Sequence, residues 1–172
     1  MVDLNTLKIR NLSADDPSTI SEAFAQVGWN KPKSQYEVYL EEQAVGKRLV
    51  LVAEVSGRFA GYVTIQWISD YLPFSEQHIP EIQDFNVLPK YRRKRIGTHL
   101  MDRAEALVSE RSNTVGIGVG MYSDYGNAQR LYVLRGYVPD GRGLCYKYEV
   151  QAPMAIVIND DDLVLFFTKK LK

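Results

Sequence analysis

The nearly continuous apolar run at residues 49–55 constrains this chain most, because a strand buried on both faces needs a covering layer on each side. Ser56-Gly57 follows as a tight-turn dipeptide, and residues 58–68 resume as a strand with Phe59, Val63, Ile65 and Trp67 on one face. The pair predicts a hairpin inside a layered α/β domain.

The rest of the chain reads as alternating elements. Residues 7–12 form a short first strand. Asp16-Pro17 has the form of an N-cap followed by proline at the first helical position, with Ile20, Ala23, Phe24 and Val27 at helical spacing and Gly28 as the stop. Ser34 and Glu37 have capping-box spacing ahead of a second helix that turns Tyr36, Tyr39, Leu40 and Ala44 inward and ends at Gly46. Residues 70–78 make a polar-aromatic loop, and residues 81–87 a strand. Residues 96–111 make a helix with a stripe of Leu100, Met101, Ala104, Leu107 and Val108. Gly116, Gly118 and Gly120 punctuate a strand at 114–121 and suggest close approach of another backbone or a ligand. A short helix at 127–135 closes at Gly136, and strands at 144–150 and 163–168 finish the chain. The expected architecture is one α/β (α+β) domain over residues 1–172, built on a mixed, mostly antiparallel central sheet flanked by helices.

Lys plus Arg number 21 and Asp plus Glu 21, so no net field recruits nucleic acid or an acidic membrane. The lone Cys145 excludes an internal disulfide framework and fits a reducing compartment. The chain opens Met-Val-Asp-Leu-Asn-Thr without a charged-then-apolar leader pattern, and no apolar run reaches the ~20 residues of a membrane span. The expectation is a cytoplasmic protein. His78 and His99 are isolated, no spacing suggests a metal site, and Asp160-Asp161-Asp162 reads as a cap on the turn into the last strand.

Chemistry concentrates at residues 82–100, where a strand passes through the cationic turn Arg92-Arg93-Lys94-Arg95 into a helix. Unpaired N–H groups and the positive end of the helix dipole suit phosphates there, and a local basic cluster in a neutral chain suits one small polyanion. Together with Val87-x-Pro89, Tyr91 and Gly97, this segment resembles the acyl-CoA-binding motif of the GNAT superfamily of N-acetyltransferases. The downstream run from Asn127 through Leu131-Tyr132 to Gly136-Tyr137 is similar to a second motif of that superfamily. The resemblance implies a GNAT-like fold and acetyl-CoA as cosubstrate, with no metal. It implies that the backbone of Phe85, Asn86 and Val87 pairs with the pantetheine arm. Arg92, Arg93, Lys94, Arg95, Ile96, Gly97 and Thr98 would cradle the pyrophosphate. Asn127 and Arg130 would hold the cofactor from the later helix, and Tyr132 would serve as general acid to the departing thiolate. Arg95 stands where the signature carries glycine, a departure that costs little only if the turn keeps an ordinary φ there.

An ammonium must lose a proton before it can attack a thioester. Glu81 is the preferred base by its spacing to Val87 in relatives, Asp84 the second candidate if a bulge re-aims it, and a water chain the third. On a regular strand Glu81, Gln83 and Phe85 share one face while Ile82 and Asp84 share the other. The resemblance places the acceptor against segments supplying Trp29, Tyr36, Tyr39, Trp67, Tyr71, Phe74 and Tyr146 with Glu41, Glu42 and Asp70, a set that favours a cationic small-molecule amine. Residues 138–143 and the later acidic turn resemble a bacterial subgroup of no fixed acceptor. A protein Nα- or Nε-acetyltransferase and a non-catalytic acyl-CoA-binding module stay open beside the small-amine reading. A homodimer is common in such domains.

Overall fold

The structure, a computed structural model, describes residues 6–172; the opening stretch read above for a leader pattern lies almost wholly outside them. Its elements run β1 (Leu7–Asn11), α1 (Asp16–Ala25), α2 (Lys33–Ala44), β2 (Arg48–Val55), β3 (Arg58–Gln66), α3 (Leu72–Ser75), β4 (Glu81–Val87), α4 (Ile96–Ser109), β5 (Thr114–Gly120), α5 (Gly126–Leu134), β6 (Val138–Tyr146), β7 (Glu149–Val150) and β8 (Leu163–Lys170). The hydrogen-bonded strand order is β1-β2-β3-β4-β5-β8-β6-β7. The β4–β5 ladder is parallel, with Glu81 opposite Gly116 and Ile82 opposite Ile117, while β1–β2, β2–β3, β5–β8, β8–β6 and β6–β7 are antiparallel. The fold class is therefore as expected: a mixed, mostly antiparallel sheet with helices.

The chain forms two compact units. The first comprises residues 1–67 and 83–107. Its central hairpin is the one read from the sequence: β2 and β3 are buried along nearly their whole length, and Ser56 (φ 50°) and Gly57 (φ 72°) supply the two left-handed residues of a hairpin turn. Ile20, Phe24, Tyr36, Val50, Val52 and Tyr62 fill the core, and Phe24 stacks on Trp29 at 5.5 Å. Both expected helix caps fail. Helix α1 begins at Asp16 with Asp15 as cap and no side-chain cap bond. The Asp16 carboxylate instead accepts from the Ser13 N–H (2.6 Å) and hydroxyl (2.8 Å) and from both Arg10 amino groups (2.6 and 2.7 Å), so the charged partner wins over the helix end. Helix α2 is capped by Pro32, whose fixed φ starts the helix before Ser34 can bridge to Glu37. Of the four residues expected to face inward on α2, Tyr36 is buried, Tyr39 and Leu40 are partly so, and Ala44 is exposed.

The second unit comprises residues 68–82 and 108–172. Tyr71, Phe74, Ile79, Cys145 and Phe166 form its aromatic core, with Tyr71 and Phe166 stacked at 3.8 Å. Cys145 is fully buried, as a structural thiol should be, and burial pushes its pKa up. The expected loop at 70–78 contains α3, which carries Phe74 into this core. The glycines of β5 make room for rings, not for a backbone or ligand. A Cβ on Gly116 would lie 2.2 Å from Phe74, one on Gly118 3.1 Å from Phe166, and one on Gly120 2.4 Å from Tyr125. Strand β6 starts at Val138, earlier than the sequence suggested, because it pairs with β8 at both ends and breaks register between Pro139 and Leu144. The acidic turn caps β8 as expected, with the Asp162 N–H donating to Asp160 Oδ1 at 3.0 Å.

Candidate active site

The cationic turn lies in the first unit between β4 and α4. Pro89–Tyr91 forms a single tight helical turn, Arg92 is extended, and Arg93 (φ 58°) and Arg95 (φ 61°) are left-handed. The departure from glycine at Arg95 thus falls on a position that does require positive φ. A non-glycine residue there costs on the order of 1–2 kcal/mol, which the sequence could not reveal. In return the N–H groups of residues 93–98 find no acceptor in hydrogen-bonding geometry among the described residues. Six amides at a helix N-terminus make a concave donor array suited to an anion. Arg93 and Arg95 are exposed, and none of the four cations pairs with a carboxylate among the described residues. Arg92 donates from Nε to the Val87 carbonyl (3.1 Å) and lies 5.2 Å over the Trp29 ring; Lys94 Nζ donates to the Lys90 carbonyl (2.7 Å).

Two glycines let this site close up. A Cβ on Gly97 would lie 2.8 Å from the Phe85 ring, so glycine lets the first turn of α4 sit against β4. A Cβ on Gly61 would lie 2.5 Å from the Asn86 carbonyl oxygen, so β3 can approach the Asn86–Val87 backbone only as glycine. Ile96 is buried and anchors the helix start, while Thr98 remains half-buried.

In the same unit Asp84 takes φ 46° inside β4, and this left-handed residue breaks the two-residue alternation expected along the strand. Its carboxylate is surrounded by donors. Oδ2 accepts from Tyr62 (2.5 Å), Gln35 Nε2 (2.7 Å) and Tyr39 (2.9 Å); Oδ1 accepts from Lys31 Nζ (2.7 Å) and Asn86 Nδ2 (2.8 Å). Burial first, and the nearby Asp84 charge second, push the Tyr39 and Tyr62 phenols well above their ordinary pKa, so both remain donors. Beside them Arg48, which is 8% exposed, donates to Glu42, Thr64, Gln66 and Gln83 and lies 4.6 Å over the Tyr39 ring. Gln83 Nε2 is buried without a partner among the described residues.

Sequence reasoning missed Lys31, Gln35, Tyr62 and Arg48. The one available signal was the i, i+4 spacing of Gln35 and Tyr39 on a helix face. Several residues assigned to an acceptor pocket are instead spoken for. Tyr36 is core, its hydroxyl 3.4 Å from that of Tyr62, and Glu42 is neutralised by Arg48 and Lys47. Tyr71 and Phe74 are core of the second unit.

The remaining candidates lie in that second unit. Glu81 is 3% exposed and accepts from the Ser69 hydroxyl, which in turn accepts from the Tyr71 N–H at 3.0 Å. Asn127 and Arg130 are exposed on α5. Tyr132 is 5% exposed, packs against Tyr137 with ring centres 5.9 Å apart, and makes no side-chain hydrogen bond among the described residues. Burial alone pushes its phenol up, so it stays protonated at neutral pH. The Gln129 side chain ties α5 to the end of β5 by donating to the Gly120 carbonyl at 2.8 Å. No group of three or more His, Cys, Asp or Glu that could hold a metal occurs among the described residues, and no described helix is long and apolar enough to cross a membrane.

The fold has many solved counterparts. The yncA protein of Salmonella typhimurium, solved with its cofactor acetyl-CoA, matches with a TM-score of 0.70 at 17% identity, over 98% of this chain and 95% of that one. A spermidine N-acetyltransferase chimera built from Vibrio cholerae SpeG and hSSAT matches at 0.69 and 15% identity, over 96% of each chain. The ribosomal-protein-S18-alanine N-acetyltransferase of Escherichia coli matches at 0.67 and 13% identity, over 96% of this chain and 94% of that one. At such identities the likeness speaks for the fold. No curated protein matches the chain. Residues 9–137, most of the sequence and all of the turn just described, match the family described as Acetyltransferase (GNAT) family. The chain belongs to the GNAT family of acetyltransferases.

Proposed function

We propose that this protein transfers the acetyl group of acetyl-CoA to the primary amine of a small molecule, by direct attack in a ternary complex. The observation that carries the cofactor half is the array of unpaired amides at residues 93–98, flanked by Arg93 and Arg95. These groups, with Arg92, Lys94 and Thr98, would hold the pyrophosphate, and the backbone of Phe85, Asn86 and Val87 would pair with the pantetheine arm. Asn127 and Arg130 would add contacts from α5.

For the acceptor half, Lys31 is the informative residue: Asp84 already binds a primary ammonium at 2.7 Å through Oδ1, while the Tyr39 and Tyr62 hydroxyls donate to its Oδ2. Five donors fill the lone pairs of Asp84, so its role is to seat the acceptor nitrogen in place of Lys31. Glu81 is then the base that takes the ammonium proton, with Asp84 or a water chain as the alternative. The acceptor nitrogen bonds to the thioester carbon, the carbon–sulfur bond breaks, and Tyr132 hydrogen-bonds the sulfur as negative charge develops. A phenol raised above ~10 holds its proton more tightly than a thiol of pKa ~8.5, so Tyr132 shares the proton without surrendering it. The lone buried thiol and the acetyl-CoA requirement suit the cytoplasm. Nothing in the site itself favours a protein N-terminus over a small amine.

Thiol release should be measured across small amines, polyamines, aminoglycosides and peptides, alongside calorimetry with coenzyme A. Turnover with at least one small primary amine is expected. Failure of coenzyme A to bind at millimolar concentration, or unaltered binding after charge reversal at Arg92 and Arg93, refutes the cofactor assignment. Turnover with peptides alone moves the acceptor to the protein class. Binding without any transfer leaves a non-catalytic module.

A further inference from the structure

Trp29 and Lys31, in the loop between α1 and α2, touch both ends of one stretch of β4. The Trp29 ring lies 5.2 Å from the Arg92 guanidinium, which itself donates to the Val87 carbonyl, and Lys31 Nζ lies 2.7 Å from Asp84 Oδ1. The loop is fixed in that position: Trp29 stacks on the buried Phe24, the Lys31 N–H donates to the Trp29 carbonyl (3.1 Å), and Pro32 starts α2. Between the two contacts run Phe85, Asn86 and Val87, about 10 Å of strand at ~3.3 Å per residue. These are the residues assigned to the pantetheine arm. An arm that starts at the basic turn and follows Val87, Asn86 and Phe85 brings its thioester to Asp84, where the Lys31 amine already sits.

We propose that Lys31 is an acceptor in its own right: each chain acetylates its own Lys31 Nζ from the acetyl-CoA it binds. The inference rests on the acetyl-CoA half of the proposed function and adds a modification site to it. The Lys31 ammonium gives one proton to water, which reaches it because the side chain is 24% exposed. Nζ then bonds to the thioester carbon, the carbon–sulfur bond breaks, and the second proton lost by the nitrogen ends on the departing sulfur. The products are acetylated Lys31, the free thiol of coenzyme A and one proton in solution. Proximity supplies the rate, because a nitrogen held beside the thioester reacts within one complex instead of by collision. Acetylation removes the charge and leaves Nζ a single neutral donor. Asp84 then keeps its bonds from Gln35, Tyr39, Tyr62 and Asn86 but holds no ammonium. The first turnover thereby opens the seat to an external amine.

The full chain should be incubated with acetyl-CoA and no added amine, digested, and read by mass spectrometry, with calorimetry of coenzyme A alongside. Uncatalysed acetylation favours the most accessible amines, and the Lys33 and Lys47 side chains are 55% and 51% exposed. Acetyl should appear on Lys31 on the order of 10-fold or more faster than on either of these, at a rate independent of chain concentration. With acetic anhydride, which needs no bound coenzyme, the order should reverse. Lys33 or Lys47 reacting with acetyl-CoA as fast as Lys31, a rate that rises with chain concentration, or the same Lys31 preference with acetic anhydride overturns the proposal. Coenzyme A binding and transfer to a small amine with Lys31 left unmodified overturns it alone, whereas absence of coenzyme A binding overturns the cofactor assignment together with it.

Discussion

The Lys31–Asp84 pair offers the sharpest test of the site's energetics. In Asp84→Asn the best orientation keeps a carbonyl oxygen facing Gln35, Tyr39 and Tyr62 and turns the amide NH2 toward Lys31 and Asn86, two donors. That loses one hydrogen bond to a charged group, about 1.5–3 kcal/mol, and one neutral bond, about 1 kcal/mol. The side chains of Lys31 and Asp84 are 24% and 17% exposed, so partial solvent screening trims the sum to about 2–3 kcal/mol. A chain of this size should then melt roughly 4–12 °C lower. Lys31→Met removes the same charged bond but leaves four neutral donors on the carboxylate, so about 1–2 kcal/mol is expected. The double variant should show a coupling of about 1 kcal/mol in urea unfolding followed by circular dichroism. Coupling within ~0.5 kcal/mol of zero, or an Asp84→Asn protein as stable as wild type, refutes the view that this ammonium is held by this carboxylate. Lys31→Met should also lower KM for a small primary amine several-fold with kcat little changed, because no internal ammonium remains to be displaced.

Gly61→Ala should destabilise by about 1–3 kcal/mol through overpacking and weaken coenzyme A binding in calorimetry, since the new methyl meets the Asn86 carbonyl. Arg95→Gly should raise unfolding free energy by roughly 0.5–1 kcal/mol, the left-handed penalty less the entropy of glycine, while weakening coenzyme A binding by loss of a cation. For Asp16, burial pushes the carboxyl up, but the Arg10 and Ser13 hydrogen bonds more than offset it and hold the pKa below the usual carboxylate range. The folded value is the lower one, so this stabilisation is complete above about pH 4 and is lost as pH falls through the folded value. Urea titrations below pH 4 should fall less steeply for Asp16→Asn than for wild type. Tyr132→Phe should reduce kcat by roughly 100-fold or more, the loss of one hydrogen-bond donor to developing charge, with coenzyme A binding unchanged; full activity would remove Tyr132 from the chemistry.

Local pattern carried what local pattern can. The β2–β3 hairpin, the bounds of β4 and the stripe of α4 were legible because periodicity and turn chemistry agree there. The positive φ at Asp84, Arg93 and Arg95 was not, since each is imposed on a residue that disfavours it by its surroundings. The same holds for β5: two of the glycines that suggest a ligand on sequence turn out to face Phe74 and Phe166, distant in the chain, and the third faces Tyr125 just beyond the strand. The two helix caps failed because Asp16 found Arg10 and because Pro32 set the start of α2. The donors to Asp84 come from a loop, a helix and two strands, and no spacing rule joins Lys31 to residue 84.

Trp29 is one of two tryptophans in the chain, and its indole lies beneath the Arg92 guanidinium. An anion that draws Arg92 toward itself would uncover that ring and change the light it emits. The protein thus carries its own optical gauge of occupancy at the basic turn, readable by titration without a label, and Trp29→Phe would silence it while Trp67 still shines.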